Sequence, residues 1–268
     1  MNACRFIRII FFLIVFLESD TSGQDSKWTL LFSAPIKADL MNVDNMGNIY
    51  LISGSIVTKY DHNGRLIITY RDARAGIISM IDLNDPLKPL VFFPDFQLIQ
   101  KLDNQLAYQS GINLRTSAIF QASLVCQSNI QNYWIYDLGD DQLKRIDDRA
   151  VVNASSGYLT QILGYKLQPN YMVEFEERLY VNDPQHGILV FDRFGSYYKT
   201  IPIKGLYDFQ LVQQELIYVK NDEVHSFNLK TLLDKFYHLP SVKGLKAARI
   251  ATNRLFLSTT DSLLLYSF

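Results

Sequence analysis

Four histidines are the side chains of this chain best suited to proton transfer or metal binding near neutral pH. His62 and His186 fall in predicted turns, whereas His225 and His238 fall in predicted strands of a single repeat. No pair of them has the spacing found in zinc sites, and residue order alone identifies no catalytic triad. The sequence therefore predicts no metal site, no cofactor and no catalytic residue.

Neighbouring carboxylates are a second possible source of chemistry, because general acid–base catalysis uses acids that converge in a pocket. Asp140 and Asp141 are such neighbours, and so are Asp147 and Asp148. Aspartate also recurs at one turn of nearly every repeat: Asp95, residues 137–141, Asp183, Asp222 and Asp261. Because aspartate side chains accept hydrogen bonds from backbone N–H groups, we interpret these residues as turn formers. A ring of calcium ligands is the alternative, since carboxylate oxygens suit that ion.

The two cysteines, Cys4 and Cys126, give little scope for disulfide chemistry. Cys4 belongs to an N-terminal leader, so cleavage of that leader would leave Cys126 without a partner in the chain. The residues that precede it, SLV, are typical of an inner strand. We predict a buried and inert thiol at Cys126, with a reactive thiol as the alternative.

Residues 1–23 have the pattern of a secretory signal peptide. Two basic residues, Arg5 and Arg8, precede the apolar run Ile9–Leu17, and small residues follow at Thr21–Gly23. Nine apolar residues are too few to span a bilayer. We therefore predict an exported protein that is soluble after cleavage, with no transmembrane segment in the mature chain.

The elements that would have to position any site belong to a repeat, most clearly seen at Arg178–Gly195. There a strand, a tight turn, a second strand and another turn follow one another. Copies of this unit start their second strand at Asn48, Lys88, Asn132, Arg178, Glu215 and Arg254, at intervals of 37 to 46 residues. Periods of this length are typical of propeller blades. Short alternating strands with 16 Tyr and 17 Phe indicate an all-β chain.

We predict an all-β, six-bladed β-propeller over residues 24–268, whose ring is closed by the N-terminal strand. Trp28–Ser33 is a lone strand, and the last copy, Leu245–Phe268, lacks a fourth strand. The N-terminal strand would therefore supply the missing strand of the last blade. We expect Trp28, Leu30, Leu31 and Phe32 to be buried there. The other blades are predicted at Ala38–Tyr70, Gly76–Tyr108, Ser117–Val152, Pro169–Pro202 and Tyr207–Leu239.

Residues 154–168 lengthen the connection between the third and fourth predicted blades. Tyr158, Leu159, Ile162 and Leu163 give this insertion a weak helical spacing. It is either a short helix or loop packed on the rim of the disc, or a lid or docking element over one face, because long loops on rigid scaffolds often carry binding.

Three stretches resemble a family of uncharacterised secreted six-bladed propellers of Gram-negative bacteria. These are Asn84–Asp103, Tyr133–Asp137 and Gln142–Asp147. A wider similarity, to NHL-type propellers, covers Trp28–Phe268. The resemblance implies a location in the cell envelope, either periplasmic or associated with the outer membrane. It implies no catalytic residue.

Basic residues mark every predicted connection from an outer strand to the next inner strand, and such connections ring one mouth of a propeller's channel. The candidate binding residues are Lys37, Arg71, Arg74, Arg115, Lys166, Lys204, Lys243 and Lys246. They predict an electropositive funnel for an envelope protein partner or an anionic ligand, with a merely solvated rim as the alternative. The formal net charge of −1 implies no nucleic-acid partner.

Two function classes follow from this pattern. The first is a non-enzymatic binding or scaffolding propeller of the envelope that uses the face with the basic loops. The second is an NHL-like propeller that binds a small ligand, or acts as a hydrolase or lyase, in its central channel. Convergence of Asn42, Glu174, Gln210 and Arg249 at one depth of the channel would favour the second.

Overall fold

A computed structural model describes residues 28–128 and 132–267. The predicted signal peptide, residues 1–23, lies outside the described residues. Within them the chain forms six four-stranded antiparallel sheets, one short α-helix and two short 3-10 helices. The predicted all-β six-bladed propeller is confirmed. No helix among the described residues is long and apolar enough to cross a membrane.

The first strand of the chain belongs to the last blade, and the first two blades follow it. These strands are β1 (Thr29–Ala34), β2 (Leu40–Val43), β3 (Ile49–Ser53), β4 (Ile56–Tyr60), β5 (Leu66–Arg71), β6 (Met80–Asp82), β7 (Leu90–Phe93), β8 (Leu98–Leu102) and β9 (Tyr108–Asn113). The 3-10 turns Pro94–Phe96 and Leu114–Thr116 flank β8 and β9.

Blades three to six contain the remaining elements. They are β10 (Ala122–Ser128), β11 (Asn132–Asp137), β12 (Gln142–Asp147), β13 (Val152–Ser155), α1 (Leu159–Leu163), β14 (Tyr171–Phe175), β15 (Arg178–Asp183), β16 (Gly187–Asp192), β17 (Tyr197–Ile201), β18 (Gln210–Val212), β19 (Glu215–Lys220), β20 (Glu223–Asn228), β21 (Asp234–His238), β22 (Leu245–Ala251), β23 (Arg254–Thr259) and β24 (Leu263–Ser267).

The core consists of six clusters of buried apolar side chains, one between each pair of neighbouring blades. Tyr50 of blade one packs with Phe93 of blade two, for example. The cluster that joins blade six to blade one contains Phe256 and Ile49. Since each blade contacts the next and the last contacts the first, the six cores close into a ring.

The ring closes as predicted, with β1 as the outer strand of blade six beside β24. Trp28 Nε1 donates to the carbonyl of His238 in blade five at 2.6 Å. On the other side, the Phe32 ring lies so close to Gly64 of blade one that a Cβ there would be 2.6 Å from it. The prediction that Leu30 and Leu31 are buried is wrong. They are 52% and 49% exposed, because a bulge beside them leaves the outer edge of this strand open to solvent.

Aspartates at the ends of the third strands form turns, as the sequence predicts. The Oδ1 atom of Asp61 accepts the backbone N–H groups of Asn63 and Arg65 at 2.8 and 2.9 Å. The same pair of hydrogen bonds, from the residues two and four positions later, recurs at Asp103, Asp147 and Asp192. Because the same turn recurs, the third and fourth strands pair in the same register in each of these blades.

The 154–168 insertion forms the short helix α1, one of its two predicted forms. Leu159 is fully buried in the core between blades three and four and anchors the helix. The Asp141 carboxylate accepts the backbone N–H of Thr160 at 2.7 Å, and the Asp141 carbonyl accepts that of Leu159 at 2.9 Å. Gly164, with a φ of 79°, ends the helix in the left-handed conformation that suits glycine. The insertion is thus fixed to the disc.

Candidate binding face

The alternation of antiparallel strands places the turns and connections on two opposite faces of the disc. One face carries the connections between blades and the turns between second and third strands, and we call it the connection face. Its segments are 35–39, 72–79, 114–121, 156–170, 202–209 and 239–244, with turns 54–55, 94–97, 138–141, 184–186, 221–222 and 260–262. We call the opposite face the hairpin face. It carries turns between first and second strands, at residues 44–48, 83–89, 176–177, 213–214 and 252–253. It also carries turns between third and fourth strands, at residues 61–65, 103–107, 148–151, 193–196 and 229–233.

All eight candidate cations lie on or beside the connection face, and all eight are exposed. They are Lys37, Arg71, Arg74, Arg115, Lys166, Lys204, Lys243 and Lys246. None of them takes part in the nine ion pairs that the described residues form. Each connection therefore presents at least one cation that has no described carboxylate within ion-pair distance.

The structure spreads these cations around the face and does not gather them in one pocket. Lys246 lines a cavity of about 250 Å³ together with Asp39 and Tyr207. Its Nζ donates to the carbonyl of Ala38 at 3.0 Å. Arg115 donates to the carbonyl of Asp95 at 2.6 Å.

Acidic residues share the connection face, but most of those near the cations serve the fold. The Asp39 carboxylate accepts the N–H of Gly54 at 2.9 Å, and that of Asp72 accepts an N–H from the Gln100 side chain at 2.9 Å. Asp261 accepts the hydroxyl of Thr259 at 3.0 Å. The face thus carries exposed charges of both signs, and these three acids are also hydrogen-bonded within the fold.

Asp137 and Lys144 form a buried ion pair beneath this face in blade three. Their Oδ2 and Nζ atoms are 2.8 Å apart, and Asp140 approaches the same Nζ to 2.5 Å. Burial opposes the charge of Asp137, yet the Lys144 ammonium and the N–H groups of Gln121 and Phe120 hold its pKa below the ordinary value. The arrangement fixes residues 118–121 and 137–140 against each other.

The structure gives each histidine a local partner. His62 contacts the Asn63 side chain at 3.1 Å, and His186 stacks on Tyr165 with ring centroids 3.7 Å apart. His225 and His238 lie in β20 and β21, where carboxylates of the same blade approach them. No group of three or more His, Cys, Asp or Glu among the described residues is arranged to hold a metal ion.

Cys126 is completely buried between blades three and four, so the prediction of a buried thiol is confirmed. Burial, together with the nearby Asp82 and Glu174 carboxylates, raises the pKa of the Cys126 thiol well above its ordinary value. A thiol in this environment stays protonated. It is also out of reach of solvent reagents.

The polar residues predicted to converge in the channel form separate groups. Arg249 binds both carboxylate oxygens of Asp208, at 2.9 and 2.6 Å, and also contacts Asn42 at 3.2 Å. Gln210 instead exchanges hydrogen bonds with the backbone of Ile250. Of the four, Asn42 and Arg249 contact each other directly.

Glu174 belongs to a second group near the hairpin face. It accepts hydrogen bonds from Ser128 and Trp134, both at 2.6 Å. Asp82, which sequence reasoning missed, is buried close by and accepts the N–H of Gln127 at 2.7 Å. Burial raises the pKa of Asp82, and the charge of Glu174 adds to this effect.

A cavity of about 1210 Å³ opens on the hairpin face beside this second group. Blades two, three and four line it with residues that include Asn84, Lys88, Asp103, Tyr133 and Glu176. Sequence reasoning did not find this cavity, because its walls come from turns that are far apart in the chain. It lies on the opposite side from the predicted basic loops.

The connection face also exposes large apolar side chains, of which the sequence pattern indicated only Tyr158 and Ile162, in the insertion. They are Ile77, Phe96, Phe120, Leu138, Tyr158, Ile162 and Tyr207. Their only sequence signal is that large apolar residues stand in connections and turns, which are usually polar. Exposed apolar side chains that adjoin one another mark interaction surfaces on soluble proteins.

Comparisons with known proteins identify the fold. No protein-family model matches the sequence, and no curated protein matches it either. Among solved structures, virginiamycin B lyase from Staphylococcus aureus is 8% identical, with a TM-score of 0.64 over 90% of this chain and 100% of that one. BamB from Moraxella catarrhalis is 12% identical, with a TM-score of 0.53 over 91% and 98%. BBS1N, solved in complex with ARL6DN, is 13% identical, with a TM-score of 0.54 over 91% and 97%. Likenesses at such low identity concern the fold alone.

Proposed function

We propose that the protein is a non-enzymatic binding or scaffolding propeller of the bacterial cell envelope, and that its partner docks on the connection face. The observation that carries the proposal is the set of exposed cations, at least one in or beside each connection, without a carboxylate partner among the described residues. The envelope location follows from the predicted signal peptide and the sequence resemblance. A propeller of similar fold, BBS1N, was solved with a protein bound to it.

Cations that form no ion pair suit the recognition of an acidic surface. An ion pair already formed within the protein would have to be broken before its cation could bind a partner's carboxylate, whereas a cation outside any ion pair carries no such cost. The exposed cations around this face also attract an oppositely charged partner toward it. Three acids of this face, Asp39, Asp72 and Asp261, are hydrogen-bonded within the fold, which fixes their positions beside the cations.

The polar side chains of the channel support a structural role. Arg249 is held by Asp208 through two hydrogen bonds, and Glu174 is held by Ser128 and Trp134. Side chains engaged in this way align the inner strands of blades three to six. Such networks of buried polar groups specify a single packing of the blades.

Charge reversal on the connection face tests the proposal. The variant carries Arg71→Glu, Arg74→Glu and Arg115→Glu. We expect it to capture at least about tenfold less protein from an envelope extract at low salt, because attraction becomes repulsion and the Debye length is about 30 Å at 0.01 M salt. Its thermal midpoint should stay within a few degrees of that of the wild type, because exposed charges contribute only about 0–1 kcal/mol to folding.

The matched control reverses three exposed cations away from this face: Arg149→Glu, Lys230→Glu and Lys235→Glu. It changes the net charge by the same amount, so it distinguishes an effect of the connection face from an effect of the total charge. The expected result is undiminished capture by the control. Equal capture by the two variants, or capture by the first variant that matches the wild type at every ionic strength, would refute the proposed face.

A second candidate function is supported by the cavity on the hairpin face. Its volume of about 1210 Å³ would accommodate a small molecule, and amide, hydroxyl and carboxylate groups line it. This arrangement favours the alternative of a small-ligand binder, or of a propeller enzyme whose site lies at this mouth of the channel. A neighbour of similar fold is named a lyase.

A further inference from the structure

Six of the exposed apolar side chains on the connection face lie in consecutive segments, from the connection before blade two to helix α1. We call this set the apolar strip, and it consists of Ile77, Phe96, Phe120, Leu138, Tyr158 and Ile162. Their exposed fractions run from 37% at Leu138 to 77% at Phe120. Isolated exposed apolar residues are ordinary on protein surfaces, whereas exposed apolar residues that adjoin one another mark an interaction surface.

Contacts connect the first part of the strip. The backbone at Gly76, next to Ile77, lies against Phe96, since a Cβ at Gly76 would be 3.2 Å from that ring. The Arg115 guanidinium lies 5.6 Å from the centroid of the same ring. The Gln97 side chain then ties this turn to the backbone of Ala122 through hydrogen bonds of 2.7 and 2.9 Å. Ala122 lies two residues beyond Phe120.

The second part of the strip is equally continuous. Gly139 packs directly on Phe120, because a Cβ at Gly139 would be 2.6 Å from the Phe120 Cβ. The N–H of Leu138 donates to the carbonyl of Gln121 at 2.8 Å, which holds Leu138 beside Phe120. Asp141, at the end of the same turn, binds the backbone of helix α1. Close approaches and hydrogen bonds therefore link each segment of the strip to the next, from blade two to the insertion.

The strip is also fixed in place. The ion pair of Asp137 with Lys144 lies below Phe120, and Lys144 Nζ is 5.3 Å from the centroid of the Phe120 ring. The buried Leu159 anchors α1, which carries Ile162 and follows Tyr158. A partner would meet a surface that is already ordered, so binding would cost little conformational entropy.

Cations accompany the apolar side chains. Arg74, Arg115 and Lys166 lie in the same connections as the strip and form no ion pair among the described residues. Of the nearby acids, Asp140 is bound to Lys144 and Asp141 to the backbone of Thr160. Aromatic side chains and arginine together are the residues that contribute most of the energy at protein interfaces.

We infer that the apolar strip is the docking site for a segment of a partner protein that presents apolar side chains flanked by Asp or Glu. This inference rests on the proposed function and names the chemistry of the partner. Apolar side chains of the partner would cover the strip, and its carboxylates would pair with Arg74, Arg115 and Lys166.

Two other occupants fit the surface less well. A second copy of this chain, related by two-fold symmetry, would bring the same cations against one another. An anionic lipid surface would place its charges across the whole face, including over the exposed Asp95. A short protein segment can place its carboxylates beside Arg74, Arg115 and Lys166 and away from Asp95, so it avoids both conflicts.

Selection of peptides on the full chain tests the inference. A phage-displayed library of random peptides is selected on immobilised protein, and the enriched peptides are then measured by fluorescence anisotropy. We expect enriched peptides that combine Leu, Ile, Phe or Trp with Asp or Glu. The strip variant, Ile77→Ser, Phe120→Ser and Tyr158→Ser, should bind them at least about tenfold more weakly, as expected when interface anchors are truncated.

The matched control replaces three equally exposed apolar residues on the hairpin face: Phe194→Ser, Leu232→Ser and Leu233→Ser. It should bind like the wild type. Enrichment of basic or purely polar peptides, absence of any enrichment, or full binding by the strip variant would each overturn the inference. Two further results would overturn it. One is that the wild type, but not the strip variant, binds vesicles of phosphatidylcholine and phosphatidylglycerol. The other is that the wild type forms a dimer and the strip variant does not.

The two proposals can fail separately. If charge reversal at Arg71, Arg74 and Arg115 weakens capture from the envelope extract while the strip variant captures normally, the connection face binds a partner but the strip does not. If neither variant changes capture, the proposed function fails together with the inference.

Discussion

Removal of the strand Trp28–Ala34 is expected to abolish cooperative folding of the whole propeller. This strand supplies the outer edge of blade six, and its side chains contact both neighbouring blades. Trp28 and Phe32 are partly buried, so each contributes roughly 1–2 kcal/mol, less than a fully buried aromatic residue. Loss of the hydrogen-bonded pairing with β24 lowers the free energy of unfolding further. The total free energy of unfolding of a domain is only about 5–15 kcal/mol.

Urea unfolding followed by circular dichroism measures this effect. The truncated chain should show a broad or absent transition and should aggregate, because β24 would become an unprotected edge strand. The matched control is Leu30→Ser with Leu31→Ser, which alters the half-exposed residues of the same strand and should change stability little. A truncated chain with an unchanged midpoint would show that the ring closes without this strand.

Substitution of Lys144 by alanine is expected to destabilise the protein by about 3–5 kcal/mol, because it leaves the fully buried Asp137 without its counter-ion. The matched control is Lys101→Ala. Lys101 forms a more exposed pair with Asp148, with side chains 24% and 35% exposed, so its loss should cost about 1 kcal/mol or less. Equal losses in the two variants would contradict the account of the buried pair.

The pH dependence of unfolding tests the same pair independently. Since the pKa of Asp137 is lowered in the folded protein, its charge stabilises the fold above the ordinary pKa of aspartate. That stabilisation disappears as the pH falls through the lowered pKa. The difference in unfolding free energy between wild type and Lys144→Ala should therefore be greatest near neutral pH and shrink below about pH 4. A difference independent of pH would mean that Asp137 is not the group affected.

The period of the blades could be predicted from the sequence because its signals are local. Asp61, Asp103, Asp147 and Asp192 each bind backbone groups within four residues, and strands next to such turns are short and alternating. The position of the closing strand followed from the count of strands. A repeating fold can be recognised from one sequence because each unit resembles the next.

The details of the site could not be predicted, because they depend on contacts between distant residues. Arg249 meets Asp208 from 41 residues away, and nothing in the sequence pairs them. Leu30 and Leu31 look like core residues until the bulge in β1 turns them outward. Phe120 belongs to the predicted blade Ser117–Val152, yet it is 77% exposed on the connection face. In each case burial is set by the neighbouring segment.

Blocking one face of the disc at a time tests the central claim most directly. Cys126 is completely buried, so a single introduced cysteine would be the accessible thiol of the described part of the chain. Ala73→Cys places it among the cations of the connection face, and Gln105→Cys places it near the mouth of the hairpin-face cavity. Each variant is coupled to a bulky polyethylene glycol chain, and capture of envelope proteins is compared with that of the uncoupled variant. The account predicts that the polymer at residue 73 abolishes capture and that the polymer at residue 105 leaves it unchanged. Loss of capture only with the polymer at residue 105 would contradict the account and move the binding site to the cavity.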